Sequence, residues 1–172
     1  MSRMLKLQLL TMLQQELRRM CELAIAGAHE AQQEANYHIG AMESRYDTFK
    51  EEAQYLTEAQ KLRLLTLQGQ LQECVRLHSL LAKQQRPYQH IQLGALITLL
   101  EEGQDRVQLF IAPASLGKPH ECTQCTQCTQ CKIICITPDT PLVSPAIGLT
   151  VGEEYQVYIG NTIRNYDIIA IE

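Results

Sequence analysis

The chain has 172 residues, with 15 lysine and arginine side chains against 19 aspartate and glutamate side chains, a formal net charge of −4 at pH 7. Residues 1–84 carry ten charges of each sign, whereas residues 85–172 carry five basic and nine acidic side chains. Neither half has the concentrated positive charge with which a direct nucleic-acid binder displaces counterions from phosphates, so any action on nucleic acid is expected to pass through another protein.

The N-terminal segment, MSRMLKLQLLTMLQQ, has a positive start and a short apolar run, which Lys6, Gln8 and Thr11 interrupt. No small-residue cleavage site follows closely, which argues against a signal peptide. No stretch approaches the roughly 20 apolar residues of a membrane span. We therefore expect a soluble cytoplasmic protein with no membrane partner.

Residues 1–84 contain no proline and are dominated by good helix formers. Apolar residues recur at intervals of three and four along two narrow seams, which is typical of two helices that pair with each other. The pattern weakens between residues 36 and 47. The sequence therefore predicts an antiparallel coiled-coil helical hairpin over residues 1–84, with its tip near residues 38–50. The seams comprise Leu13, Leu17, Met20, Ala24, Ala28, Ala31 and Ala35, then Leu64, Leu67, Leu71, Cys74, His78 and Leu81.

Arg86-Pro87 ends the helical pattern, and residues 85–172 favour β-structure. Their apolar segments are rich in β-branched residues and are separated by turn signals. The segment TPDTPLVSPAIG predicts a turn and a short helix closed by Gly148. We predict a small α+β domain of about five strands, with a cysteine-rich loop over residues 115–131. The predicted strands are HIQLGALITLL, DRVQLFIAPA, KIICIT, EEYQVYIG and IRNYDIIAIE.

The segment TPLVSPAIGLTVGEEYQV, residues 140–157, resembles the corresponding segment of the bacterial Gre-type (GreA/GreB) transcript cleavage factors. The resemblance covers nearly the whole chain, which is identified on these motifs as a divergent member of that family. It implies a coiled-coil hairpin followed by an FKBP-like domain. The matching residues are Thr140-Pro141-Leu142, Ala146-Ile147-Gly148 and Gly152-Glu153, together with Leu93-Gly94-Ala95-Leu96-Ile97 and Tyr166-Asp167-Ile168.

The resemblance also implies a function. In Gre-type factors the hairpin enters the secondary channel of RNA polymerase, where two tip carboxylates help to hold a second Mg²⁺ and backtracked RNA is hydrolysed. The hairpin tip of this chain reads YDTFKEEAQY, in which Glu51 takes the second acidic position of the family motif. Thr48 takes the first, and Asp47 lies one residue earlier. We expect Asp47 and Glu51, with Glu43 one turn earlier, to share the metal, because residues four apart lie on one face of a helix.

The resemblance implies RNA polymerase as the partner, and further residues are expected to contact it. The protein would contact RNA only within the complex with the polymerase. The further residues are Arg45, Tyr46 and Lys50 near the tip, and Pro141 and Leu142 in the second domain.

The tip residues also allow interpretations without catalysis. Thr48-x-x-Glu51 matches a capping box, and acidic side chains in a first helical turn are favoured by the helix dipole. A second hypothesis is therefore a regulator that occupies the polymerase channel without stimulating cleavage.

A run of cysteines, HECTQCTQCTQCKIIC, gives a third hypothesis, a metal- or redox-responsive module. Cys122, Cys125, Cys128 and Cys131 have the spacing C-x₂-C-x₂-C-x₂-C, suited to Zn²⁺ or another soft metal with His120 as a spare ligand. Counting from Cys125 to Cys135 instead gives the C-x₂-C-x₂-C-x₃-C spacing of bacterial ferredoxins. A reduced flexible loop is the remaining alternative, with Cys135 an ordinary buried strand residue.

Overall fold

A computed structural model describes residues 2–37, 43–103, 105–115, 117–122, 131–160 and 162–172. Within these ranges two helices precede six strands, an α+β arrangement. A 3₁₀ turn, Ser144–Ala146, lies between the fourth and fifth strands. The helices are α1 (Ser2–Tyr37) and α2 (Glu43–Lys83), and the strands are β1 (Leu96–Glu101), β2 (Asp105–Ile111), β3 (His120–Cys122), β4 (Cys131–Ile136), β5 (Glu154–Ile159) and β6 (Thr162–Ile171).

The two helices bury the seams predicted from the sequence. Between Gln14 and Gln72 the buried residues of the described chain are Leu17, Ala24 and Leu67. All three belong to the predicted seams, and the other described seam residues are at least half-buried. Narrow burial of this kind is expected where two helices pair along a stripe. Over the described residues, neither helix has an apolar stretch long enough to cross a membrane.

The six strands form one mixed sheet in the order β3-β4-β2-β1-β6-β5. Neighbouring strands are antiparallel except β2 and β4, which are parallel with Phe110 opposite Cys135. The sequence predicted about five strands and missed β3, which lies inside the predicted loop over residues 115–131. Three residues, His-Glu-Cys, are too few to show an alternating pattern, and the strand exists because β4 provides a pairing edge.

The two faces of the sheet are both covered. Ile97, Leu99 and Leu109 lie on one face and belong to a core that also contains Val143 and Ala146 from the segment around the 3₁₀ turn. Because side chains alternate along a strand, Phe110, Ile133 and Cys135 lie on the opposite face, and each is at most 1% exposed.

Contacts divide the chain into two compact units: Gln14–Gln72, and a unit that joins Met1–Leu13 to Glu73–Glu172. The helix ends nearest the chain's β-rich half thus belong with the sheet. Leu9, Leu10 and Leu81 are fully buried there. Gly94, at φ +89°, leaves room for this packing, since a Cβ on it would lie 2.9 Å from both Leu77 Cδ1 and Tyr88 Oη.

Lys6 of α1 is held within the sheet-bearing unit and is only 3% exposed. Its Nζ donates a hydrogen bond of 2.9 Å to the Glu172 carbonyl oxygen and lies 5.0 Å from the centroid of the Tyr88 ring. Burial lowers the pKa of Lys6 to about 8, although the negative charge of Glu172 acts in the opposite direction.

We predict that Lys6 makes stability depend on pH between about 8 and 10.5. In this window the unfolded chain binds the proton more tightly than the native chain, since the pKa falls from 10.5 to about 8 on folding. The Lys6 contribution to the free energy of unfolding therefore rises with pH, by up to about 3 kcal/mol.

To isolate the Lys6 contribution, the free energy of unfolding in urea is measured over that pH range for the wild type and for Lys6→Met. Burial raises the pKa of Cys74 to about 11 and of Cys135 to about 12. Because of these two thiols, the wild type and Lys6→Met both lose stability as the pH rises above the pKa of an exposed thiol. The wild type is expected to gain relative to Lys6→Met; a difference that stays constant with pH would contradict the prediction.

Candidate functional site

The three predicted catalytic carboxylates lie on one helix. Glu43 is the first residue of α2, and Asp47 and Glu51 follow at intervals of four. Residues four apart lie on one helix face, so the backbone places the three residues in one row, spaced about 6 Å along the axis. The side chains of residues 43–57 lie outside the described part of the structure, so joint metal binding remains a prediction.

The position of Thr48 bears on the capping interpretation. A capping box requires its threonine to precede the first helical residue. Thr48 instead lies five residues inside α2, which begins at Glu43. The capping-box interpretation of Thr48 and Glu51 is therefore wrong, and it does not explain why an acidic residue stands at position 51.

Of the three predicted partner-binding residues near the tip, two lie beside the carboxylate row. By helical spacing, Tyr46 and Lys50 are four apart, and Lys50 is three residues from Asp47. Arg45 falls on the far side of the helix at 100° per residue.

The segment that resembles the Gre family is held by burial and backbone hydrogen bonds. Val143 and Ala146 are fully buried. The Gly148 N–H donates to the Ile91 carbonyl at 2.9 Å, and the Ile91 N–H donates to the Leu149 carbonyl at 2.9 Å. These bonds fasten the residues after the 3₁₀ turn to the chain entering β1.

Two glycines of this segment adopt a left-handed backbone that few other residues tolerate: φ is +89° at Gly148 and +88° at Gly152. After Gly152, Glu153 accepts hydrogen bonds from the backbone N–H and the hydroxyl of Thr150, and these bonds lower the pKa of its carboxyl. Gly148, Gly152 and Glu153 of the motif therefore serve the local backbone structure.

The two predicted partner-binding residues of this segment differ in accessibility. Pro141 is exposed. Leu142 is half-buried and packs against the core. Pro141 is thus available to a partner, whereas Leu142 has a structural role as well.

The cysteine run is divided by the sheet. Cys122 and Cys131 are register partners at the end of the β3–β4 ladder, whereas Cys125 and Cys128 lie outside the described residues. Cys135 is 1% exposed in the sheet, and burial raises its pKa to about 12. The prediction that Cys135 is a buried strand residue is confirmed. Within the described ranges, no group of three or more His, Cys, Asp or Glu side chains is placed to hold a metal ion.

No protein-family model matches the chain, and no curated protein matches it. Solved structures do. The transcription factor Gfh1 is 15% identical with a TM-score of 0.35, and the match covers 92% of each chain. GreA factor homolog 1 of Thermus thermophilus is 13% identical with a TM-score of 0.33, covering 96% of this chain and 94% of that one.

A third solved structure is the transcription elongation factor GreA/GreB from Nitrosomonas europaea, which is 15% identical with a TM-score of 0.30. The match covers 66% of this chain and 91% of that one. Since all three TM-scores lie below 0.5, they add no argument about activity to the chain's own residues. The first two of these structures are of transcription factor Gfh1, and the third is of a transcription elongation factor of the GreA/GreB type.

Proposed function

We propose that this protein is a Gre-type transcription elongation factor that binds RNA polymerase in the bacterial cytoplasm. The observation that carries the proposal is the segment 140–157, whose motif residues Ala146, Gly148 and Gly152 are held by burial or by left-handed backbone. Such a motif depends on its fold, so its resemblance extends beyond composition. The proposal includes an antiparallel coiled coil for α1 and α2 and an FKBP-like class for the sheet-bearing unit.

The proposed hairpin consists of two long helices. α1 has 36 residues and α2 has 41, or about 54 and 62 Å at 1.5 Å per residue. Gln14–Gln72 forms a compact unit of its own. We propose that the tip of this unit enters the secondary channel of the polymerase, while Pro141 and Leu142 contact the enzyme from the other unit.

The chemistry proposed for the tip is assistance to the polymerase's own cleavage of backtracked RNA. Carboxylates with water suit Mg²⁺, which prefers hard oxygen ligands, and Glu43, Asp47 and Glu51 supply such groups. A second Mg²⁺ beside that of the polymerase would stabilise the attacking and leaving oxygens of the phosphodiester. The tip carboxylates would help to hold an Mg²⁺ that is shared with the polymerase, and Tyr46, Lys50 and Arg45 would contact polymerase or RNA phosphates.

The charge of the chain supports a role in which the polymerase, and not this protein, holds the RNA. With a net charge of −4 and no concentrated basic surface in its sequence, the protein is poorly suited to hold RNA alone. The polymerase is expected to hold the transcript, so that the protein meets RNA only within that complex.

A cleavage assay tests the proposal. RNA polymerase is stalled in a backtracked complex carrying 3′-labelled RNA, the protein is added with Mg²⁺, and short 3′ fragments are measured together with binding. We expect fragments to appear faster than with polymerase alone, and no effect without polymerase. Absence of binding would overturn the proposed partner.

A regulator without cleavage activity is the second candidate. It is favoured by Lys50, three residues from Asp47, and by the one-residue displacement of Asp47 from the acidic position of the family motif. Binding without any fragment, together with altered elongation, would select this alternative.

A further inference from the structure

The side of α2 that faces away from its buried seam carries two exposed leucines. Leu67 belongs to the seam and is 5% exposed, whereas Leu62 and Leu65 are 67% and 64% exposed. Residues two apart in a helix differ by about 200° around its axis, and residues five apart by about 140°. Leu62 and Leu65 therefore lie opposite Leu67. Three residues apart, they are neighbours on that side and form an apolar patch that another helix can cover.

Gly69 continues this side of α2 by one further turn. It is exposed, and no atom of the described chain lies within 4 Å of the position that its Cβ would take. Glycine inside a helix is less favourable than alanine, and no neighbouring side chain of this chain needs the space that Gly69 leaves open. The gap beside Leu65 has the shape to receive a side chain from a second helix.

Charged residues of opposite sign lie at the two ends of this patch. Glu58 and Arg76 are each nine residues from Leu67 in α2, or about two and a half helical turns. Both are therefore opposite the seam, and both are exposed. Since they are equally far from Leu67 in the two directions, Glu58 of one α2 faces Arg76 of a second, antiparallel α2 at both ends.

We propose that the outer face of α2, which comprises Glu58, Leu62, Leu65, Gly69 and Arg76, binds the same face of a second copy of this chain in an antiparallel pair. A two-fold axis at the middle of the face repeats each contact. Leu65 of one copy then meets Gly69 of the other, because both are two residues from the axis. This inference rests on α2 alone and does not depend on the proposed function.

The charges select the antiparallel direction. A parallel pair would place Glu58 against Glu58 and Arg76 against Arg76, and such like-charge contacts are unfavourable. Arg76 already binds Glu73 of its own helix at 2.8 Å, but a guanidinium has five N–H donors and can keep this partner while it binds Glu58 of the second copy. Lys61 and Glu73 flank the face, so each end of the pair holds two charges of each sign.

The association state of the full chain tests the proposal. Sedimentation velocity is measured over a range of protein concentrations, under a thiol reductant so that disulfides do not contribute. Because the face is small, we expect a concentration-dependent equilibrium between monomer and dimer. Leu65→Gln is expected to raise the dissociation constant at least about tenfold. Leu65 is exposed, so the variant is expected to fold like the wild type, which circular dichroism checks.

Charge reversal tests the direction of the pair. Glu58→Arg and Arg76→Glu each place like charges together at both ends, and each is expected to raise the dissociation constant at least about tenfold. The double variant, Glu58→Arg with Arg76→Glu, restores opposite charges and is expected to dimerise like the wild type. Arg18→Glu with Glu22→Arg makes the same changes at exposed positions of α1 and is expected to leave the dissociation constant unchanged.

Three results would overturn the proposal. The first is a wild type that stays monomeric up to its solubility limit. The second is a dimer whose dissociation constant Leu65→Gln leaves unchanged, since the contact would then lie elsewhere on the molecule. The third is a combined Glu58→Arg and Arg76→Glu variant that dimerises no better than the single reversals, which would exclude the antiparallel register.

Discussion

Replacing Asp47 by asparagine and Glu51 by glutamine together is expected to reduce cleavage of backtracked RNA to the rate of RNA polymerase alone. The two substitutions remove the negative charges proposed to hold Mg²⁺ but keep the size of both side chains. A loss on the order of a hundredfold or more is expected, as when a charge contact to a transition state is removed. The release of 3′-labelled fragments measures it, at a protein concentration that saturates binding.

A matched variant controls for the change in charge. Glu30→Gln with Glu58→Gln removes two charges from exposed positions of α1 and α2 and is expected to leave cleavage unchanged. Both double variants should bind polymerase like the wild type. Wild-type cleavage by Asp47→Asn with Glu51→Gln would eliminate the assignment of these carboxylates, and equal losses in both double variants would attribute the effect to net charge.

Substitution of Gly94 by alanine is expected to destabilise the sheet-bearing unit by about 2–5 kcal/mol. Gly94 has φ +89°, and a Cβ there would lie 2.9 Å from Leu77 Cδ1 and 2.9 Å from Tyr88 Oη. The left-handed backbone accounts for about 1–2 kcal/mol, and overpacking adds about 1–3 kcal/mol. Leu77 is only 3% exposed, so it has little space into which to move.

Gly152→Ala separates the two contributions. Gly152 has φ +88°, nearly the value at Gly94, and no atom lies within 4 Å of the position that its Cβ would take. The Gly152→Ala substitution is therefore expected to lower the free energy of unfolding by about 1–2 kcal/mol, from backbone conformation alone. Urea unfolding of the two variants measures the difference. Equal losses would show that the packing around Leu77 and Tyr88 adapts to a methyl group at no cost.

The sequence predicted the helices and their buried seams well, because intervals of three and four are a local signal. It did not predict the order of the strands, since the parallel pairing of Phe110 with Cys135 joins segments separated by a connection with no local signal. For the same reason it missed β3, which is stabilised by its partner strand.

The candidate sites show the same division between local and distant information. The placement of Asp47 and Glu51 on one face needed only a helical backbone, whereas their chemical role was suggested by the family resemblance. The choice between two cysteine sets remained open in the sequence, because it depends on the side of a strand on which Cys135 lies and on what covers that side.

The bond between Lys6 and Glu172 joins positions 166 residues apart, and this has a consequence for synthesis on the ribosome. Leu96 and Glu172 also exchange two backbone hydrogen bonds, and β6 lies between β1 and β5. Proteins in which most contacts join residues distant in sequence fold slowly. The first turns of α1 leave the ribosome before β6 does, and they meet these partners only after β6 has emerged. Until then Lys6 stays hydrated and charged, so the cost of burying it arises only once β6 has joined the sheet.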